Sequence, residues 1–348
     1  MDRTKVLLLF GGESSEHDVS VSSARNVYAA IDDDLYEIYL GYIDSYGKWW
    51  LLDSFDEQIN THDASQLLPV LGGHGFATMP TGKAIKPDVI LPILHGRNGE
   101  DGTVQGLAQL LHIPIVGCDV TASSIGMDKV ASKEIATVHD VEVVPYIVHR
   151  TGEDAPDFNK LSMQLGSPVF VKPARAGSSV GVSKVHTEVE LTEALTAAHK
   201  HDNVVLIEQA VTARELEIAV LGTPPHHQVS GVGEIVPGED FYSYDDKYAS
   251  GSKAQVVVPA DISDDIKQRV QDTARTIYQA IGCSGLSRID FFLSDDDTLY
   301  FNEINTMPGF TSISMYPKLW RQEGIGYPEL IKRLIDDVLA NGTIKTEE

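Results

Sequence analysis

The chain opens with a strand-like run from Lys5 to Phe10, apolar from Val6 onward, that ends on Gly11-Gly12. A run with no polar alternation suits a strand covered on both faces, as in a parallel sheet. A helix is expected from about Ser20 to Ile31, then strands at YEIYLGYID (Tyr36 to Asp44) and DVILPIL (Asp88 to Leu94). A helix over Asp101 to Leu111 and a short strand, IPIVG (Ile113 to Gly117), follow. Strands alternating with helices predict an open, Rossmann-like parallel α/β sheet over residues 1–118. Ligands of such sheets bind beyond the carboxyl ends of the strands. GGESSEHD and LHGRNGEDG both lie at such ends.

From about Asp119 the pattern changes. Lys129 to Val138 reads as a helix, PVFVKPA as a strand, and GSSVGVSKV as the strand that returns. TEVELTEALTAAHK (Thr187 to Lys200) is helical and VVLIEQA (Val204 to Ala210) extended. The remainder is richer in strands: ELEIAVLG, HQVSGVGEIV, AQVVVPA, then a helix near Asp264 to Ile281. SRIDFFL and LYFNEIN form a last strand pair before a final helix, Tyr327 to Leu339. With no internal repeat or low-complexity linker, the expected divisions are 1–118, 119–210 and 211–348.

Composition narrows the functional classes. At 348 residues, with 42% hydrophobic and 22% charged positions, the chain is globular and long enough for two or three domains. Its 27 Lys and Arg against 51 Asp and Glu give −24, a field that repels nucleic acid and confines any anion site to a local feature. Cys118 and Cys283 stand far apart in sequence, which suits a reducing compartment. The apolar run in MDRTKVLLLFGG is too short for a signal peptide or membrane span, and no later stretch is longer. A cytoplasmic protein is expected.

Four stretches carry candidate chemistry. PVFVKPARAGSSVGVSKV is glycine-rich but joins two strands, so it lacks the strand-to-helix context of a dinucleotide fingerprint. It reads as a flap whose backbone N–H groups cover phosphates, with Lys172 as a point charge, or as an ordinary long hairpin turn. In RIDFFLSDDDTLYFNEIN, Glu303 and Asn305 share one strand face. Asp290 joins that face if the turn within Asp295 to Asp297 holds two residues; a one-residue slip removes it. Three oxygen donors so placed suit a hard cation such as magnesium held with phosphates, with Arg288 beside them to meet anionic oxygen; the bland reading is a solvated acidic face. GGESSEHDVSVSSARNV ends a strand at Gly11-Gly12 and offers Glu16 to an ammonium group, while Ser14, Ser15 and Asp18 suit helix caps. LHGRNGEDG offers His95, Glu100 and Asp101, and TMPGFTSISMYP places the small residues Gly309 and Ser314 near the acidic strand. FYSYDDKYASG, Phe241 to Gly251, is an aromatic-rich loop that either packs on its own protein or closes over a ligand.

Together these blocks, with MDKVASK, resemble the D-alanine–D-alanine ligases of the ATP-grasp superfamily, in order and spacing, from about Lys5 to Leu339. The resemblance implies a pre-ATP-grasp N-terminal part followed by a two-subdomain ATP-grasp fold. It implies ATP as substrate, two magnesium or manganese ions on Asp290, Glu303 and Asn305, and an activating monovalent cation. Lys129, Lys172 and Lys247 are then expected at nucleotide phosphates, and Glu208, Val211 and Glu215 at adenine and ribose. Glu16, helped by His95, takes the first D-alanine's ammonium; Arg288 and the Gly309 N–H stabilise an oxyanion; Ser314 and Met315 contact the second D-alanine. Tyr248 is expected to hydrogen-bond Ser178, itself linked to Glu16, when the loop closes as a lid. A homodimer is implied, with no nucleic-acid or membrane partner. D-lactate and D-serine remain rival acceptors, and a non-catalytic nucleotide-binding protein is a rival of another class. A nicotinamide oxidoreductase is disfavoured, because Glu16 stands where the third fingerprint glycine would fall when Gly11 is the first.

Overall fold

A computed structural model describes residues 3–236, 255–311 and 313–341. Among them, three sheets draw on successive stretches of chain. The first contains β1 (Thr4–Gly11), β2 (Tyr36–Ile43), β3 (Trp49–Leu52), β4 (Ser65–Val70), β5 (Gly75–Met79), β6 (Ala84–Ile85) and β7 (Val89–Ile93), in the order β6-β5-β4-β3-β2-β1-β7. Helices α1 (His17–Ala30) and α2 (Thr103–Leu110) accompany it. As its apolar run demands, β1 is an interior strand, parallel to both β2 and β7, with Val6 to Phe10 fully buried.

The parallel character stops there. β2 to β6 pair antiparallel, so the sheet is mixed and not the open parallel sheet expected from sequence. The reason is local. Asp44 accepts N–H groups from Tyr46 and Lys48 in a tight turn, and parallel neighbours would need a long crossover instead. Ile115 of the expected fourth strand forms only an isolated parallel bridge with Ile90.

Helices α3 (Val120–Met127) and α4 (Lys129–Val138) lead into the second sheet. Asp128 caps α4 by accepting from Val130 and Ala131 N–H groups, which starts the helix at Lys129 as read from sequence. β8 (Tyr146–Arg150), α5 (Phe158–Leu165), β9 (Val169–Pro173), β10 (Ser183–Val185), α6 (Glu188–Ala198) and β11 (Val204–Gln209) build an antiparallel sheet ordered β10-β9-β11-β8. The glycine-rich loop joins β9 to β10, so its flanks do form a hairpin.

The third sheet is β12 (Ala213–Leu221), β13 (Gln228–Val236), β14 (Gln255–Val257), β15 (Leu286–Ser294) and β16 (Leu299–Asn305), ordered β14-β13-β12-β15-β16. Helix α7 (Asp264–Ile281) covers one face. Two last helices, α8 (Met315–Gln322) and α9 (Tyr327–Asn341), return to the first sheet. Tyr316, Trp320, Leu330 and Ile331 share one core with Val6, Leu8 and Val89, so the end of the chain helps to roof the N-terminal sheet. Cys118 and Cys283, distant in sequence, are free thiols buried in one common cluster. Among the described residues no helix is long and apolar enough to cross a membrane.

Candidate active site

A cavity of about 510 Å³ opens where the three sheets converge. Glu16, His95, Ser178, Glu215, Arg288 and Asp290 line it, as do Glu303, Asn305, Gly309, Ser314 and Met315. Residues nearly three hundred positions apart in sequence are thus gathered around one space.

The acidic strand pair reaches this geometry by an unexpected route. The β15–β16 turn spans Asp295 to Asp297, three residues and not two, with Asp297 in a left-handed conformation. That extra residue alone would set Asp290 opposite Asn302 and turn Glu303 toward the core. A bulge at Asn302 reverses the slip: Phe291 pairs with Phe301, but Asp290 pairs with Glu303 and Arg288 with Asn305. Phe291 and Phe301 remain in the core while the polar side chains face the cavity.

Arg288 sits at the centre of the carboxylates. Its guanidinium donates twice to Asp290, at 2.7 Å each, and lies 3.1 Å from Glu217. Burial opposes its charge, but Asp290 and Glu217 outweigh burial and hold it firmly protonated. Asn305 donates to the same Asp290 carboxylate at 3.0 Å. Lys129 lies 3.1 Å from Glu303 and donates to the Ala176 carbonyl at 2.9 Å. Burial works against that ammonium, yet Glu303 prevails and keeps its pKa above the usual range. Two carboxylates and an amide form an all-oxygen donor set that fits a hard divalent cation, and their present cationic partners show how much local negative charge needs compensation. Among the described residues no cluster of three or more His, Cys, Asp or Glu is placed to hold a metal.

A second charged cluster lies beside the flap. Glu208 on β11 pairs through one oxygen with Lys172 of β9 and through the other with Lys133 of α4, at 3.2 Å. Burial would raise the Glu208 carboxyl, but the lysines outweigh it and hold its pKa below the usual range. Lys133, with its side chain fully buried, is pushed by burial down to about 8.

On the opposite wall Ser178 donates a short hydrogen bond to Glu16. Ser178 and Ser179 occupy left-handed backbone conformations (φ 49° and 58°), which turn the flap tip toward α1. A Cβ on Gly177 would stand 3.0 Å from the Glu16 carboxylate, so glycine permits the close approach. His95 is deeply buried: Nδ1 meets the Met307 carbonyl at 3.0 Å and Glu100 at 3.6 Å, and Nε2 meets Ser23 at 3.4 Å. Burial would lower its pKa, but Glu100 raises it above the ordinary value. His95 therefore braces the N-terminal sheet against the Met307 loop. The Ser314 hydroxyl accepts from the Thr311 N–H at 3.0 Å beside Gly309.

Not every expected residue reaches the cavity. Val211 lies in the link between β11 and β12, outside the lining. Lys129 meets the cavity through its pair with the lining residue Glu303, whereas Lys172 and Glu208 pair with each other outside the lining. Lys247 and Tyr248, with the loop that holds them, lie outside the described residues. Sequence reasoning passed over Lys133, Glu217 and Asn302. The first two had a signal: Lys133 stands one helical turn from Lys129, and Glu217 two strand residues from Glu215. Asn302 had none, because a bulge leaves no trace in alternation alone.

Comparison with known proteins accords with this geometry. Residues 5–118 match a family model described as the D-ala D-ala ligase N-terminus, and residues 135–336 one described as the D-ala D-ala ligase C-terminus. The chain is 43% identical to D-alanine–D-alanine ligase A of Chromobacterium violaceum, over 98% of this chain and 97% of that one. It is 41% identical to D-alanine–D-alanine ligase A of Escherichia coli strain K12, over 99% and 100% of the two chains. Among solved structures, the D-alanine-D-alanine ligase from Coxiella burnetii is similar with a TM-score of 0.88 at 30% identity, covering 98% of this chain and 95% of that one. The VanG D-Ala:D-Ser ligase from Enterococcus faecalis is similar with a TM-score of 0.87 at 33% identity, covering 96% and 99%.

Proposed function

The chain belongs to the D-alanine–D-alanine ligase family, and we propose that it joins two D-alanines at the expense of ATP, for peptidoglycan precursor synthesis. The observation that carries this reading is that one cavity is lined both by a carboxylate, Glu16, held by Ser178, and by a guanidinium, Arg288, embedded among oxygen donors. Such a cavity suits an amino acid at one end and a polyphosphate at the other.

In this reading the first D-alanine's ammonium rests on Glu16, which Ser178 orients, with His95 bracing the wall behind it. Its carboxylate oxygen attacks the γ-phosphorus of ATP, the bond to the bridging oxygen breaks, and ADP leaves. The amine of the second D-alanine, having lost a proton, attacks the resulting acyl phosphate carbon. The tetrahedral oxyanion is met by Arg288 and the Gly309 N–H, and inorganic phosphate departs as the amide forms. Ser314 and Met315 shape the acceptor end. Lys129, Lys172 and Lys247 hold phosphates, with Glu208, Val211 and Glu215 toward adenine and ribose. Asp290, Glu303 and Asn305 would hold two magnesium or manganese ions, which supply charge neutralisation for the phosphates. Tyr248 closes over the site and reaches Ser178, excluding water from the acyl phosphate.

Residues 1–118 would receive the first D-alanine, 119–210 would carry the flap, and 211–348 the metal ligands and lid. A cytoplasmic homodimer activated by a monovalent cation completes the proposal. D-serine is the second acceptor to test, because one similar structure is a D-Ala:D-Ser ligase. Phosphate release from ATP and magnesium with D-alanine, absent with L-alanine, tests the reaction; D-alanine, D-serine and D-lactate compared at neutral pH test the acceptor. Nucleotide binding with no turnover on any of the three would point to a non-catalytic protein.

A further inference from the structure

We propose that Lys133 is a positioning residue for nucleotide binding: by balancing Glu208 from below, it leaves Lys172 free to leave that carboxylate for the phosphates of ATP. The inference deepens the ligase reading and rests on its assignment of the nucleotide site.

The geometry is specific. Lys129 and Lys133 stand one helical turn apart on α4 and project the same way. Lys129 reaches Glu303 of the third sheet, whereas Lys133 reaches Glu208 of the second. The Lys133 side chain is 0% exposed, so its ammonium is retained only by its partners. Those partners are Glu208, at 3.2 Å, and the Phe301 carbonyl, which accepts at 3.3 Å. The Glu208 oxygen facing Lys133 makes no aligned hydrogen bond, so this charge contact is what it has. The other oxygen of Glu208 holds Lys172.

Two buried ammonium groups therefore share one buried carboxylate. A single lysine would suffice for neutrality while Lys172 stays on Glu208. It would not suffice once phosphates arrive, because drawing Lys172 away would strand an unpaired carboxylate in a place without water. Lys133 removes that obstacle, for Glu208 keeps a cation whichever way Lys172 points. The remaining ionisable groups that feel Glu208 are Lys129 and Tyr146, and neither is an ion-pair partner close enough to replace Lys133. The contact with Phe301 adds a second consequence. That carbonyl precedes the Asn302 bulge, so the ammonium that serves the nucleotide end also anchors the strand that aims Glu303.

The test is a double-mutant cycle on ATP affinity in the full chain, using K133M, E208Q and K133M/E208Q, with the KM values for ATP and D-alanine measured alongside. Methionine keeps the length and apolar stem of lysine without its charge. K133M is expected to raise the ATP dissociation constant and the KM for ATP at least tenfold, with the KM for D-alanine within twofold of wild type. In the E208Q background, removing Lys133 is expected to weaken ATP binding by no more than a further twofold, because its partner is gone. Wild-type ATP affinity in K133M overturns the proposal, as does a loss that adds fully to that of E208Q. Should K133M be too unstable to purify, the comparison of K133M/E208Q with E208Q decides alone, since its charges remain matched: equal affinity upholds the proposal and a tenfold gap overturns it. A wild-type protein that binds no ATP overturns this inference and the ligase reading together. Tight wild-type binding with an indifferent K133M overturns only the inference.

Discussion

Asp290 stands directly across the strand pair from Glu303, and it does so only because a bulge at Asn302 cancels the offset of a three-residue turn. The two carboxylates then face one cavity, each already engaged by a cation: Arg288 on Asp290 and Lys129 on Glu303. The site's charges are thus internally compensated. In the proposed reading a metal–nucleotide complex would exchange these pairs, a cation taking over the carboxylates and phosphates the freed positive groups.

Glu303→Gln removes one charge from this exchange without changing shape. Turnover is expected to fall by about a hundredfold or more, the range seen when one electrostatic contact to a reacting centre is lost. The glutamine still fits, so the melting temperature should stay within a few degrees. Steady-state phosphate release across a magnesium titration is the measurement. Near-normal turnover at ordinary magnesium would remove Glu303 from the metal site.

Ser178→Ala breaks the hydrogen bond that orients Glu16. One such bond to a charged group is worth about 1.5–3 kcal/mol, so the KM for the first D-alanine should rise by roughly ten- to a hundredfold. The ATP dissociation constant should move little, because Ser178 bonds Glu16 while Lys172 pairs with Glu208 outside the cavity lining. Initial rates at fixed saturating ATP separate the two. An unchanged D-alanine KM with weakened ATP would mean that Ser178 serves the flap alone.

Much of this site was legible before any coordinates. The apolar run of β1, the Asp128-capped start of α4 and the glycine-rich β9–β10 hairpin follow from local pattern, because short-range sterics and capping decide them. The antiparallel half of the first sheet did not, since WWLL, SQLLPV and GFATM are short and only their turns dictate direction. The shared face of Asp290 and Glu303 was foreseen for a two-residue turn and is reached by a different one, because turn length and bulge compensate in ways that alternation cannot reveal. Lys133 and Glu217 escaped notice for another reason. Buried charge is a tertiary property, and a lysine one turn beyond a site lysine looks like surface until its partner from another sheet is known.

The pH dependence of ATP binding carries a distinct signature. Burial pushes Lys133 down to about 8, so its ammonium is present below that pH and lost above it. Phosphates favour the charged form, and the free-protein pKa therefore marks where affinity begins to fall. ATP affinity is expected to be level from pH 7 to 8 and then to weaken by up to about tenfold per pH unit. Turnover at saturating ATP should rise over the neutral range, because the attacking amine must shed a proton. Calorimetric titrations at intervals from pH 7 to 9.5 address the first point. A flat profile in wild type would mean that Lys133 keeps its proton throughout.

The base of the flap offers a test of stability apart from catalysis. Arg175, just after β9, donates to Asp202 through its guanidinium at 3.0 and 2.6 Å, and its backbone N–H adds a bond at 2.8 Å. Val204 N–H donates to the same carboxylate at 3.0 Å. Burial would raise the Asp202 carboxyl, but its bonds to Arg175 outweigh burial and hold its pKa below the ordinary value. The carboxylate's contribution is therefore complete above the unfolded-state pKa, near 4, and is lost as pH falls through the lower folded value. Asp202→Asn should cost about 1–3 kcal/mol at pH 7, toward the lower end because the Arg175 side chain is 48% exposed and solvent screens it. At pH 3 the gap between wild type and variant should narrow, since the unfolded chain's carboxylate then takes up a proton that the native one resists. Urea unfolding at both pH values measures the two differences. A gap as wide at pH 3 as at pH 7 would mean that shape, and not charge, holds Arg175 to Asp202.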